Sequence, residues 1–297
     1  MTIPGPQGLH VLDIARELVS TPSPNPPGDE RAAAALVHDL LLALQLPAAR
    51  IIAKHESRPN LLVTLDFGEG GRHLVLSGHL DTKPVADAEW SGDPFGSNVE
   101  GDRLYGLGSA DMKSAIAAML VAAARVARDA PFRGRLSLLF TADEENGSAY
   151  GAHHVTQSVP LDADGVVIGE PGGIEEDYDR LHLVSRGIAR LRLVARSRQK
   201  YSSLSDELGT CNAGVNAARL ITAVADTLAV ETPENVYGLS GWTPTINTGL
   251  PRWRWLRGDA GGDGLGHRGA TASRNAARGR GRGVHHTGQA GLPGDQG

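Results

Sequence analysis

The chain has one cysteine, four lysines, few aromatic residues and no long apolar run. A single thiol, Cys211, excludes an internal disulfide and fits a reducing, cytoplasmic setting. The longest stretch of small apolar residues, Ala115–Ala124, is about half of a membrane span, so no transmembrane segment is expected. The opening MTIPGPQGLH has neither a basic region nor an apolar core, so it does not read as a signal peptide. A net charge of −5 gives no reason to expect nucleic acid or an acidic surface as partner.

The scarcity is greatest at the end. Residues 251–297 hold one Val and no Ile, Phe or Tyr, against 13 Gly. Eight Arg against three Asp give this tail +5, so the −5 of the whole chain conceals −10 in residues 1–250. So little apolar surface does not offset the entropy of ordering, and disorder is expected there. Arg/Gly-rich composition also occurs in RNA-binding tails. A change of reading frame accounts for it better. Arg outnumbers Lys 25 to 4 and Ala and Gly abound, as GC-rich codons produce. Such a gene read out of frame yields Gly, Arg, Ala and Pro. The break follows a good strand, Thr245-Ile246-Asn247-Thr248, with no linker between.

Residues 1–250 read as α/β. Leu9–Val19 and Glu30–Leu46 carry helical spacing of apolar residues, with Asp29 as expected N-cap of the second. The four prolines of TPSPNPPGD between them forbid helix. Leu61–Leu65, His73–Ser77, Arg135–Thr141 and Gly165–Ile168 read as strands, and Met112–Arg128 as a helix. This alternation predicts a mostly parallel sheet with helices on both faces, whose ligands gather beyond the carboxyl ends of the strands.

Four segments place acidic or imidazole groups at such ends: SGHLDTKP (77–84), GSADMK (108–113), TADEEN (141–146) and IGEP (168–171). They supply His79, Asp81, Asp111, Glu144, Glu145 and Glu170, the ligand types of a metal-dependent hydrolytic site. Each has an ordinary reading too. A His ending a strand is commonly structural, Asp111 before a helix is an N-cap type, and acidic pairs are usually solvated. His79 and Asp81 lie two apart, on one face of an extended segment, so Asp81 is placed to orient the imidazole.

In their order and wording these segments resemble the M20 family of metallopeptidases and deacylases. The similarity runs from about Gly8 to about Leu250 and includes the Pro-rich loop, Trp90…Asp93-Pro94-Phe95 and Asn212…Asn216-Ala217. The resemblance implies a zinc-exopeptidase-like catalytic domain over residues 1–179. A partial α+β lid and dimerisation domain would follow over 180–250, with the tail beyond. It implies two zinc ions, with Co2+ as a substitute: His79, Asp111 and Glu170 on one, Asp111 and Glu145 on the other. Glu144 becomes the general base, Asp81 the support of His79, and the Asp111–Met112 peptide is expected to be cis. The implied substrate is an N-acyl amino acid or short peptide, and a homodimer through the lid is the implied assembly. The wording Gly169-Glu170-Pro171 leans toward the acetylornithine/succinyl-diaminopimelate branch.

The family's GRG reads Gly106-Leu107-Gly108 here, and DMKG reads Asp111-Met112-Lys113-Ser114. Tyr201, in Lys200-Tyr201-Ser202-Ser203, stands where a lid His is expected. The final His of the second metal has no counterpart after Leu250, and His267, His285 and His286 lie in the tail. Two functional expectations follow: a metal-dependent amide hydrolase, or a catalytically impaired remnant that binds one metal. An aminopeptidase with the same two-metal layout is a further alternative, but no acidic residue stands out for a free substrate amine.

Overall fold

The computed structural model describes residues 10–85, 90–129, 132–172, 182–183, 192–196 and 212–228. One compact unit runs through Leu183, and a second contains the described residues from 192 to 228. The first unit begins with α1 (Val11–Val19) and α2 (Arg31–Ala43), followed by β1 (Arg50–Ala53), β2 (Pro59–Asp66) and β3 (His73–His79). A small hairpin, β4 (Asn98–Glu100) and β5 (Arg103–Tyr105), precedes α3 (Ser114–Asp129), β6 (Arg135–Thr141), α4 (Ala152–Ser158) and β7 (Gly165–Ile168). In the second unit α5 (Ala213–Thr227) is capped by Asn212, whose side-chain oxygen accepts from the N–H groups of Gly214 and Val215.

The five-stranded sheet has the order β1-β2-β6-β3-β7. β3 runs parallel to both β6 and β7, while β2 is antiparallel to β1 and β6. Four strands therefore point one way and β2 alone is reversed. The sheet is mostly parallel by direction, although its pairings divide evenly. The short β1 and the small hairpin escape a periodicity reading because three or four residues carry too few apolar positions.

Both faces are covered. Leu61, Val63, Leu65, Leu136, Leu138 and Phe140 pack with α1, α2 and α3 on one side. Ile52, Val75 and Leu139 pack with Val155 and Val159 around α4 on the other. β6 is buried at every position after Arg135, which explains its near-continuous apolar run. The polar Ser137 is accommodated by hydrogen bonds with Thr64 and His73 Nε2, both at 2.8 Å.

Element ends differ from the sequence reading for local reasons. α2 stops at Ala43 because Gln45 turns left-handed (φ 58°), and the Leu46 N–H returns to the Leu41 carbonyl. Asp29 is not the N-cap of α2. Glu30 holds that position without a side-chain cap, and Asp29 sits one residue earlier, where its Oδ1 accepts from the Arg31 N–H. α3 begins at Ser114 because Asp111 and Met112 have non-helical backbones. Gly108 adopts φ 83°, and a Cβ there would stand 2.6 Å from Thr82 Cγ2, so only glycine turns the chain into this segment.

Leu138 is fully buried in the central strand. Leu138→Ala should lower stability by about 2–5 kcal/mol through the cavity it leaves. Ile51→Ala, at a 63 % exposed position, should cost no more than about 0.5 kcal/mol. Urea unfolding of the two variants beside the parent chain measures both.

Candidate metal centre

The parallel strands fix the location. His79 lies opposite Thr141 in the β3–β6 register, and Ser77 lies opposite Ile168 in β3–β7. The pairing continues one step further, as the Gly169 N–H donates to the Ser77 carbonyl at 3.0 Å. Glu170 is thereby level with His79, while Glu144 and Glu145 occupy a single tight turn just past β6. Gly169 is required because a Cβ would lie 2.6 Å from Met119 Cε and 2.8 Å from Ala115 Cβ on α3.

His79 is buried at the end of β3. Its Nδ1 lies 2.8 Å from the Asp81 main-chain carbonyl, an arrangement that keeps a proton on Nδ1 and makes Nε2 the nitrogen that would give up its proton to a metal ion. Nε2 is 3.0 Å from Asp111 Oδ1 and 3.6 Å from Glu170 Oε1. The ligand-type atoms of His79, Asp111 and Glu170 all lie within 4.8 Å of one another. Asp111 follows Gly108 and precedes a cis peptide to Met112, as the resemblance led us to expect. The buried Met112 sulfur accepts the His79 N–H at 3.2 Å.

Electrostatics favour a cation here. Burial opposes protonation of His79, but the Asp111 hydrogen bond together with Asp81 and Glu170 pushes the imidazole up to about 10. Desolvation, reinforced by Asp111 and Glu144 and opposed by His79, pushes Glu170 up to about 7. Glu144 is also raised, chiefly by desolvation and then by Glu145 and Asp81, against the pull of His79. Carboxylates converging on one imidazole form a donor set that attracts positive charge, and a divalent ion fits its ligand types and spacing.

Asp81 supports His79 through its main chain more than its side chain, whose Oδ1 is 3.5 Å from Nδ1. The buried carboxylate serves the neighbouring turn instead. Oδ1 accepts from the Glu144 N–H at 3.1 Å, and Oδ2 from the Glu145 N–H at 3.0 Å. Asn25 Nδ2 completes the set, donating to Asp81 Oδ2 at 2.8 Å and to Asp143 Oδ1 at 3.0 Å. Arg58 lies behind them, donating to Glu30 Oε1 at 2.6 Å and to Asn25 Oδ1 at 3.1 Å. Glu145 does not join the His79 cluster, because its buried carboxylate is ion-paired with the exposed Lys83.

All six residues singled out from the sequence thus lie at one sheet edge. Asn25, Arg58, Lys83 and Asp143 were missed. Asp143 and Lys83 sit inside the quoted segments, and Asn25 inside the Pro-rich loop, so proximity was the available signal. Arg58 carries none. Tyr201, the tail histidines and most of the expected lid lie outside the described residues. No helix among the described residues is long and apolar enough to cross a membrane.

Fold and edge together define an α/β chain with a candidate metal centre at the carboxyl ends of its parallel strands. Residues 75–256 match Peptidase family M20/M25/M40, and the chain belongs to that family, an enzyme family of hydrolases. The match ends a few residues beyond Leu250. A succinyl-diaminopimelate desuccinylase of Parvibaculum lavamentivorans is 38 % identical over 183 residues, 59 % of this chain and 45 % of that protein. The corresponding protein of Wolinella succinogenes is 35 % identical over 193 residues, 64 % of this chain and 50 % of its own length. The chain spans about half the length of the curated relatives it matches. Among solved structures, an M20 family metallo-carboxypeptidase from Sulfolobus solfataricus aligns with TM-score 0.49 and 24 % identity, over 55 % of this chain and 38 % of that one. A dinuclear metal-binding M20 peptidase from Bacillus subtilis aligns with TM-score 0.39 and 19 % identity, over 53 % and 41 %.

Glu30 yields a pH prediction. It is fully buried, and its Oε2 meets no donor among the described residues. Desolvation, partly offset by Arg58 and reinforced by Asp81, pushes it from 4.5 up to about 7. Between those values the folded chain holds a proton that the unfolded chain has released. Its contribution to stability is full below 4.5 and is lost as the pH rises to about 7. Glu30→Gln should flatten this dependence and be the more stable form at pH 8, by on the order of 3 kcal/mol at most. Unfolding midpoints of both proteins from pH 4 to pH 8 test the sign.

Proposed function

We propose that this chain is a metal-dependent amide hydrolase that removes the acyl group from an N-acyl amino acid. The convergence of His79 Nε2 with the Asp111 and Glu170 carboxylates carries the reading. The names of the curated relatives support a dicarboxylic acyl group, succinyl, as the first to test. The lone Cys211 supports a reducing, cytoplasmic setting. A homodimer through residues 180–250 belongs to the same reading.

When bound, a divalent ion such as zinc supplies polarisation of the amide carbonyl and acidification of a water. The protein's part is to hold and move charge. His79 offers Nε2 because the Asp81 carbonyl holds the proton on Nδ1. Asp111 and Glu170 offer anionic oxygens facing that nitrogen. Glu144 is held at the rim by its main-chain bond to Asp81. Its raised proton affinity suits a base that takes a proton from the attacking water and delivers it to the departing amine. In the two-ion version of the reading, Asp111 and Glu145 hold the second ion.

A single-ion reading is supported by Lys83, whose ammonium already neutralises the Glu145 carboxylate. Zinc stoichiometry separates the two. In the single-ion case Glu145→Gln leaves the zinc content unchanged, whereas in the two-ion case it removes one equivalent.

The activity test is release of succinate from N-succinyl-LL-diaminopimelate by the zinc-loaded chain, beside N-acetyl amino acids and dipeptides. Bound zinc without turnover of any of them would favour a catalytically impaired, metal-binding chain. Glu144→Gln should abolish hydrolysis and leave zinc content nearly unchanged, because a base acts through its proton affinity. Loss of zinc in that variant, measured by elemental analysis, would mean that Glu144 is a ligand.

A further inference from the structure

Asn25 sits in the loop between α1 and α2, between Pro24 and Pro26, and is fully buried. Its side chain makes three hydrogen bonds inside the protein. Nδ2 donates to Asp81 and Asp143, and Oδ1 accepts from Arg58 Nη2. The amide has one acceptable orientation, since a flip would set its oxygen against two carboxylates and its N–H groups against a guanidinium. Arg58 fixes that orientation from behind. It is buried, donates to Glu30 Oε1 and to the Pro27 carbonyl at 3.0 Å, and stands 3.6 Å from Asp143 Oδ1.

The two carboxylates joined by Asn25 control opposite ends of one turn. Asp81 accepts the N–H groups of Glu144 and Glu145. Asp143 immediately precedes that turn in a left-handed conformation (φ 64°), and its Oδ2 accepts the Tyr150 N–H at 3.1 Å. A bond removed at Asn25 therefore loosens both ends of the segment that carries Glu144 and Glu145. Neither Asn25 nor Arg58 reaches the His79–Asp111–Glu170 cluster.

We propose that Asn25, oriented by Arg58, is a positioning residue for the hydrolytic centre: the pair sets where the Glu144 and Glu145 turn stands relative to His79. The inference rests on the proposed function for what those glutamates do, and on geometry alone for how they are held.

Arg58→Lys and Asn25→Ser test it. Lysine keeps a positive charge beside Glu30 and Asp143 but lacks the planar fork that reaches Asn25 and Pro27. Serine keeps one small donor and leaves the second carboxylate unserved. Amide hydrogen exchange followed by NMR reads the turn directly and needs no activity. The Glu144 and Glu145 amides should exchange at least about tenfold faster in both variants, while the β6 amides of Leu138 and Phe140 hold their protection. With an N-succinyl substrate, kcat should fall by roughly a hundredfold at nearly constant KM and zinc content, because a base displaced by an ångström is still present. Unchanged exchange at Glu144 and Glu145 in Arg58→Lys would overturn the proposal. So would faster exchange at the turn and β6 together, the mark of a purely stabilising role. If the parent chain hydrolyses nothing, the proposed function falls, and the exchange result still decides whether this pair holds the turn.

Discussion

A buried carboxylate organises this edge of the protein. Asp81 is fully buried, and an ion so placed persists only with compensating partners. It finds them in the Asn25 amide and in two consecutive main-chain N–H groups. Desolvation works to raise its proton affinity, but the adjacent His79 imidazole and the Asn25 hydrogen bond prevail and hold the carboxyl below its ordinary range. The need to solvate one charge thus ties together the Pro-rich loop, the end of β3 and the turn after β6. The glutamates there are held by their backbone, which frees their side chains for other work.

The apolar core explains why these partners meet. β6 is packed on both faces, by α1, α2 and α3 on one side and α4 on the other. Burial on both sides fixes its register, because a one-residue slip would exchange the two faces. With β6, β3 and β7 aligned in parallel, their carboxyl ends form a single rim. Helical packing enforces the details. Met112 and Ile116 lie close under Gly78, while Ala115 and Met119 press on Gly169, so the backbone beside His79 and Glu170 has little freedom.

Charge at this rim is unevenly met. His79 faces Asp111 and Glu170, and Lys83 faces Glu145. One carboxylate pair is served by an imidazole and a single further carboxylate by an ammonium, two cationic partners of different reach. The imidazole is buried and rigid, whereas the lysine side chain is 63 % exposed and reaches its partner from solvent.

The family and the candidate ligands were legible in the sequence. His79, Glu144, Glu145 and Glu170 follow the apolar runs of β3, β6 and β7, and strand ends are where an open α/β sheet presents side chains. Asp111, expected at a strand end as well, lies instead in the segment that leads into α3. The main strands and helices were legible for the same reason, since period and burial coincide over long segments. Tertiary structure alone decided the rest. The reversal of β2 depends on which strand it pairs with, and no local pattern records that. Asn25, Arg58 and Asp143 come together from positions 33 and 118 residues away from Asn25. A polar residue in a loop shows nothing of its partner until folding has excluded water around both. Hydrophobic periodicity is a property of neighbours in sequence. Satisfying a buried charge is a property of neighbours in space.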